Sequence, residues 1–264
     1  MKASAKPRRR SGVASPPAPR TDWAYFFDID GTLIDIAPTP WEVRLERELL
    51  HLILRLHEST GGALALISGR SIADIDSIFH GKRLPVAGQH GIERRNARGK
   101  VSRHRFPLGK LAVPRAQLGE IAARHPGLLL EDKELSLALH YRQQPALGSY
   151  VHRLMRTVQT EIGPDYTVQL GKRIVELKPS GKDKGEAVKE FMAEAPFRGR
   201  LPVFVGDDAT DEHGFAVVNS LGGYSVKVGR GRSRARWRLT DVEAVRSWLV
   251  RGEQEQQRES KAVR

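Results

Sequence analysis

Apolar runs of strand length, each closed by a polar cluster, constrain the fold of this chain more than any other feature. Residues 23–27, 63–67 and 201–205 are apolar throughout. A strand without polar alternation is buried on both faces, as in a parallel sheet covered by helices. A shorter run at 85–88 and a strand pattern at 224–228 extend the series. Helical periodicity lies between them. Residues 40–57 place Val43, Leu45, Leu49, Leu50, Ile53, Leu54 and Leu56 on one broad face, with Pro40 at the start. Further helices are expected over 71–79 and from about 211. This alternation predicts an α/β, doubly wound parallel sheet of Rossmann-like form.

The middle of the chain reads differently. Helical patterns at 116–125 and 148–162 alternate with strand patterns at 128–131, 135–142, 166–170 and 173–178. Gly171-Lys172 is a two-residue hairpin signal. The order αββαββ implies an antiparallel sheet with helices on one face. The expected organisation is a core of 22–109 and 182–250 with an inserted α+β domain at 110–181. Residues 1–21, rich in Pro, Ala and Arg, are expected to form a disordered arm. Residues 251–264 are expected to form a flexible tail.

Charge and composition bound the function. Forty-four Lys and Arg against 31 acids leave a net charge of +13. Six of the basic residues fall within residues 1–20, and Arg230, Arg232, Arg234, Arg236 and Arg238 form a second cluster. Nucleic acid is therefore a partner to consider, but there is no aromatic-studded RNA-binding element, and a solvated basic surface is the plainer reading. The chain has no cysteine, which excludes disulfides and thiolate metal sites. No apolar run approaches the roughly 20 residues that span a bilayer, and no secretory signal is apparent. The expectation is a cytoplasmic monomer acting on a small molecule, without membrane or nucleic-acid partners.

Three strands end in groups that carry chemistry. The first ends in Asp28-Ile29-Asp30-Gly31-Thr32, the second in Ser68-Gly69-Arg70, and a late one in Gly206-Asp207-Asp208-Ala209-Thr210-Asp211. Any one of them could simply cap the helix that follows. All three together point to a site, because open parallel sheets bind ligands outside the carboxyl ends of their strands.

These segments resemble the motifs of the haloacid dehalogenase superfamily. Asp28-Ile29-Asp30-Gly31-Thr32-Leu33 is similar to its first motif, Ser68 to the second, Lys184 in Lys182-Asp183-Lys184-Gly185 to the third, and Gly206-Asp207-Asp208 with Asp211 to the fourth. Residues 23–250 further resemble the trehalose-6-phosphate phosphatases, closest to bacterial members. The resemblance lies in Gly88-Gln89-His90-Gly91-Ile92-Glu93, in Glu131-Asp132-Lys133 followed by His140-Tyr141-Arg142, in Val175-Glu176-Leu177-Lys178-Pro179, and in Glu212 after the last acid group. It implies that 110–181 is a mobile cap and that Glu131, Lys133 and Glu176 contact sugar. It also implies metal ligation by Asp28, the backbone carbonyl of Asp30 and Asp207, with Asp208 and Asp211 behind them. The N-terminal arm and the Arg230–Arg238 run depart from the family pattern.

Residue chemistry fits these roles. A carboxylate can attack phosphorus, so Asp28 is the candidate nucleophile. Asp30, two residues on, projects to the same side of an extended strand and can act as general acid and base. Gly31 permits the tight turn. Crowded carboxylates facing a phosphate require a cation, and oxygen-only ligands favour Mg²⁺. Ser68 can donate to a phosphoryl oxygen, with Gly69 and Arg70 beside it, and Lys184 offsets negative charge. Charged side chains suit a disaccharide's hydroxyls. His90 is placed near substrate, and Arg94 and Arg95 receive no role. Other sugar-phosphate phosphatases with the same cap type, acting on sucrose-phosphate or mannosylglycerate-phosphate, remain open, as do a phosphotransferase and a non-catalytic binding protein on this fold.

Overall fold

The computed structural model describes residues 15–37, 39, 42–104 and 108–262. Its main sheet has eight strands. They are β1 (Trp23–Phe27), β2 (Leu64–Ile67), β3 (Val86–Gly88), β4 (Glu93–Arg95), β5 (Val101–Arg103), β10 (Leu201–Gly206), β11 (Tyr224–Val228) and β12 (Trp237–Leu239). The order is β12-β11-β10-β1-β2-β3-β4-β5. Six strands run parallel, and β4 and β5 add an antiparallel edge.

The apolar runs behave as two-faced strands. Alternate residues of β1 enter different cores. Tyr25 and Phe27 pack with Leu49 and Ile53 of α1 (Arg47–Ser59), Ile75 of α2 (Ile72–Ile78) and Trp248 of α7 (Val242–Ala262). Ala24 and Phe26 pack on the other face with Phe191 of α5 (Lys184–Met192) and Phe215 of α6 (Asp211–Ser220). Helices thus cover both faces, and every loop at the strands' carboxyl ends opens on one side.

The four-stranded sheet is antiparallel, in the order β6-β7-β9-β8. Its strands are β6 (Leu129–Asp132), β7 (Leu137–His140), β8 (Tyr166–Gly171) and β9 (Ile174–Pro179). One face carries Leu137, Leu139, Val175 and Leu177 against Leu118 of α3 (Ala112–Arg124) and Val151, Met155 and Val158 of α4 (Gly148–Ile162). Strand alternation sends the neighbouring residues to the opposite face. Register aligns Glu131, Ala138, Glu176 and Gln169 in one row across the four strands of that face.

Several expectations need correction. The first helix starts at Arg47 rather than at 40. Pro40 and Trp41 lie outside the described residues, and Glu46 is extended. Gly171 is the last residue of β8, so the hairpin turn falls on Lys172-Arg173, with Arg173 at φ 66°. Strands β4, β5 and β12 were not foreseen. The arm was read as disordered through residue 21. Residues 1–14 lie outside the described residues, but the rest packs on the body. Pro16 and Pro19 are buried, Trp248 Nε1 donates to Pro17 O at 2.6 Å, and Pro19 lies over Gly252. The tail expected at 251–264 is helical to Ala262, because its Glu, Gln, Arg and Lys residues are good helix formers continuing an anchored helix. No helix among the described residues is long and apolar enough to cross a membrane.

Candidate active site

The turn after β1 is built by hydrogen bonds from Gly31 N to Ile34 O and from Leu33 N to Ile29 O. Gly31 sits at φ 84° with Asp207 packed against it. A Cβ there would lie 2.2 Å from Asp207 Oδ2, so only glycine lets the two carboxylate loops close on each other. Asp28 is buried at the strand end, and Asp30 is half-buried at the turn.

Lys184, the first residue of α5, points into this turn. Asp183 caps the helix by accepting from Gly185 N and Glu186 N. The Lys184 ammonium then donates to Asp28 Oδ1 and Asp211 Oδ1, both at 2.7 Å. Asp211 Oδ2 accepts from Asp207 N and Asp208 N, each at 2.8 Å. Both oxygens of Asp211 are therefore engaged, and its carboxylate braces the loop carrying Asp207. Thr32 Oγ1 lies 3.4 Å from Asp28 Oδ2 and 3.5 Å from Asp207 Oδ1.

Charge state follows from burial. Burial pushes the Asp28 carboxyl well above its usual value, with Lys184 opposing the shift and Asp211 and Asp207 adding to it. Burial likewise raises Asp207, against the pull of Lys172. Burial works against the Lys184 charge, but Asp211 and Asp28 outweigh it and hold the ammonium above its ordinary value. Oxygens of Asp28, Asp207 and Asp211 lie within 4.8 Å of one another. This oxygen-only, net-negative donor set fits a hard divalent cation. With Asp211 tied to Lys184 and two backbone N–H groups, Asp28 and Asp207 are the carboxylates left to hold it.

The loop after β2 lies beside them. Ser68 Oγ accepts from Arg70 N at 3.2 Å, which leaves its own proton for an oxygen in the cleft. Arg70 grips Asp30 with two bonds of 2.7 Å, from Nε and Nη2. This fork sets the direction of the Asp30 carboxylate.

The polar row of the second sheet faces this floor. Glu176 Oε1 accepts from Ser136 Oγ at 2.6 Å, and its Oε2 lies 3.1 Å from His90 Nε2 and 3.5 Å from Lys133 Nζ. Burial would raise Glu176, but Lys133 and His90 outweigh it and hold the carboxyl far below its usual range. Lys133 Nζ also donates to Gly69 O at 2.8 Å. Glu131 Oε2 is 2.7 Å from His140 Nε2. The hairpin tip brings Lys172 Nζ onto Asp207 Oδ2.

Asp28, Asp30, Ser68, Gly69, Arg70, His90, Glu131, Lys133, Glu176, Lys184, Asp207 and Asp208 all line one cleft that opens to solvent. Asp211 stands directly behind it. Arg95 is elsewhere, buried against Asp76 and Leu84 O, and Arg94 lies over the Phe191 ring. The sequence reading gave no role to Lys172, Gln169 or Arg142, which share the cleft. The hairpin signal that located the Lys172 turn was the available clue. Lys227, whose ammonium donates to Asp207 O, was also missed.

Comparison with known proteins agrees with this geometry. Residues 26–243 match the trehalose-phosphatase family. The chain is 48% identical over 227 residues to the trehalose-6-phosphate phosphatase of Escherichia coli (strain K12), covering 86% of this chain and 85% of that one. It is 40% identical over 208 residues to a probable trehalose-phosphate phosphatase of Sinorhizobium fredii, covering 79% and 78%. Among solved structures, the C-terminal domain of trehalose-6-phosphate phosphatase from C. albicans superposes with a TM-score of 0.77 at 23% identity, over 86% of this chain and 90% of that one, which shows the shared fold. Family match, relatives and fold agree: the chain belongs to the trehalose-phosphatase family.

Proposed function

We propose that this protein is a Mg²⁺-dependent phosphomonoesterase that converts trehalose 6-phosphate to trehalose and inorganic phosphate. The observation that carries the proposal is the meeting of two unlike surfaces in one cleft. A floor of Asp28, Asp30, Ser68, Lys184 and Asp207 faces a wall of Glu131, Lys133 and Glu176. The relatives' named substrate supplies the sugar.

The chemistry proceeds in two displacements. An Asp28 carboxylate oxygen attacks phosphorus, and the bond from phosphorus to the sugar oxygen breaks. Asp30 supplies the proton that the departing oxygen takes up. Water then attacks the aspartyl-phosphate and loses its proton to Asp30, and phosphate leaves with Asp28 regenerated. The two bonds from Arg70 hold the Asp30 carboxyl group in one direction through both steps. Asp28, Asp207 and the Asp30 carbonyl would hold Mg²⁺, which when bound would supply charge neutralisation at the phosphoryl oxygens. Lys184 offsets the charge of Asp28, and Ser68 donates to a phosphoryl oxygen.

Residues 110–181 serve as a cap that reads the sugar and excludes water when closed. The polar row of its sheet and the Lys133–Gly69 bond support this role. Phosphate release from trehalose 6-phosphate, measured beside sucrose-, mannosylglycerate- and glucose-phosphates with and without Mg²⁺, tests the proposal. Trehalose 6-phosphate should give the highest kcat/KM, with turnover dependent on the metal. A clear preference for another phosphate would replace the substrate assignment.

A further inference from the structure

We propose that His90 is a positioning residue that acts through Glu176, fastening the core to the second sheet and fixing the direction of that carboxylate before the sugar arrives. The proposal rests on the phosphatase reading above and assigns His90 a task other than touching substrate.

The backbone around His90 is strained. Gln89 and His90 both adopt left-handed conformations, at φ 47° and 58°. Two consecutive non-glycine residues there are costly and persist only where the surroundings over-determine them. They are fastened to the catalytic loop after β2: Gln89 N donates to Arg70 O at 2.8 Å and His90 N to Ser68 O at 2.9 Å. The strained turn is thus locked to the segment carrying Ser68.

The strain delivers the ring to one place. A Cβ on Gly69 would lie 2.8 Å from His90 Nε2, so the missing side chain makes room for the imidazole. Beyond Gly69 the ring meets Glu176 Oε2 at 3.1 Å, and both side chains are buried. With its proton on Nε2 the ring donates to the carboxylate. Lys133 closes the arrangement from the other side, reaching Gly69 O and Glu176 Oε2. Two core groups and two groups of the second sheet form a closed ring of contacts across the cleft.

The consequence for Glu176 is a matter of counting. A carboxylate offers about four acceptor sites. Ser136, His90 and Lys133 fill three, which leaves one direction for a hydroxyl in the cleft. With its Nε2 directed at Glu176, His90 has no proton on that atom to offer the sugar.

The test compares His90→Leu with His90→Gln. Both keep a non-glycine residue in the strained turn, but only Gln can donate from near the Nε2 position. His90→Leu should lower kcat/KM on trehalose 6-phosphate roughly tenfold to hundredfold, the loss expected for a hydrogen bond to a charged group, and leave a small aryl phosphate within about twofold. His90→Gln should recover most of the loss. In a Glu176→Ala background, His90→Leu should add nothing. Equal losses on both substrates, or full additivity with Glu176→Ala, would overturn the proposal. A substrate-independent arm separates its failure from failure of the substrate assignment. The chain has no cysteine, so Glu48→Cys and Ala123→Cys give unique sites for energy-transfer labels on core and cap. His90→Leu should broaden the distance distribution of the substrate-free enzyme, and an unchanged distribution would contradict the fastening role whatever the substrate is.

Discussion

Lys184 Nζ donates to Asp28 Oδ1 at 2.7 Å across 156 residues of sequence that include the whole second sheet. The same ammonium bridges to Asp211, so one cation is shared by the proposed nucleophile and the carboxylate that braces the Asp207 loop. Lys184→Ala leaves Asp28 and Asp211 buried without the cation that pairs them. The expected cost is about 3–5 kcal/mol of stability, together with a loss of turnover of roughly a hundredfold or more. Urea unfolding and kinetics check both. Adding Asp211→Asn to Lys184→Ala should recover part of the stability and none of the turnover.

Glu176 makes a pH prediction with a definite sign. Its folded carboxyl is held below the ordinary 4.5 because Lys133 and His90 outweigh burial. Its contribution to stability is therefore fully present above pH 4.5 and is lost as pH falls below that value toward the folded one. Urea unfolding of wild type and Glu176→Gln at neutral pH and at about pH 3.5 should show a steeper loss in the wild type. Equal losses would mean that the carboxyl is not depressed.

The second sheet is predicted to read the sugar. Glu131→Ala, Lys133→Ala and Glu176→Ala should each lower kcat/KM on trehalose 6-phosphate by roughly 10- to 150-fold, the equivalent of about 1.5–3 kcal/mol. The same variants should change a small aryl phosphate far less. Parallel losses on both substrates would move these residues from recognition to fold support.

Residues 15–20 are predicted to stabilise the body. A chain starting at Thr21 loses the buried Pro16 and Pro19 and the Trp248–Pro17 hydrogen bond. Compared with a chain starting at Ser15, it should be less stable by about 1–3 kcal/mol, the cost of orphaning a buried donor. Matching melting curves would show that the contact contributes nothing.

The legible part of this protein is the part whose signals are local. Two-faced apolar strands at 23–27 and 201–205 announced a parallel sheet, and polar residues at their ends announced where ligands bind. The edge strands β4 and β5 were not legible, because Glu-Arg-Arg and Val-Ser-Arg carry no strand pattern. Arg95 is buried there only because Asp76 and Leu84 O meet it from elsewhere in the chain. Lys172 was hidden for a similar reason. A turn lysine reads as solvated until the second sheet is seen to carry it onto Asp207. The arm was misjudged at its end, since composition alone does not show that Pro16 and Pro19 have a surface to pack on. Asp211 was placed behind the metal ligands by resemblance. The geometric support is that both its oxygens are already engaged.

The account turns on Asp28 becoming covalently phosphorylated during turnover of trehalose 6-phosphate. Acid quenching in the steady state, followed by mass spectrometry of the peptide containing Asp28, measures this directly. The prediction is a phosphoryl adduct on Asp28 that forms only with Mg²⁺ and substrate, with Asp28→Asn folding normally and losing nearly all turnover. An adduct at another residue, or near-wild-type turnover in Asp28→Asn, would contradict it.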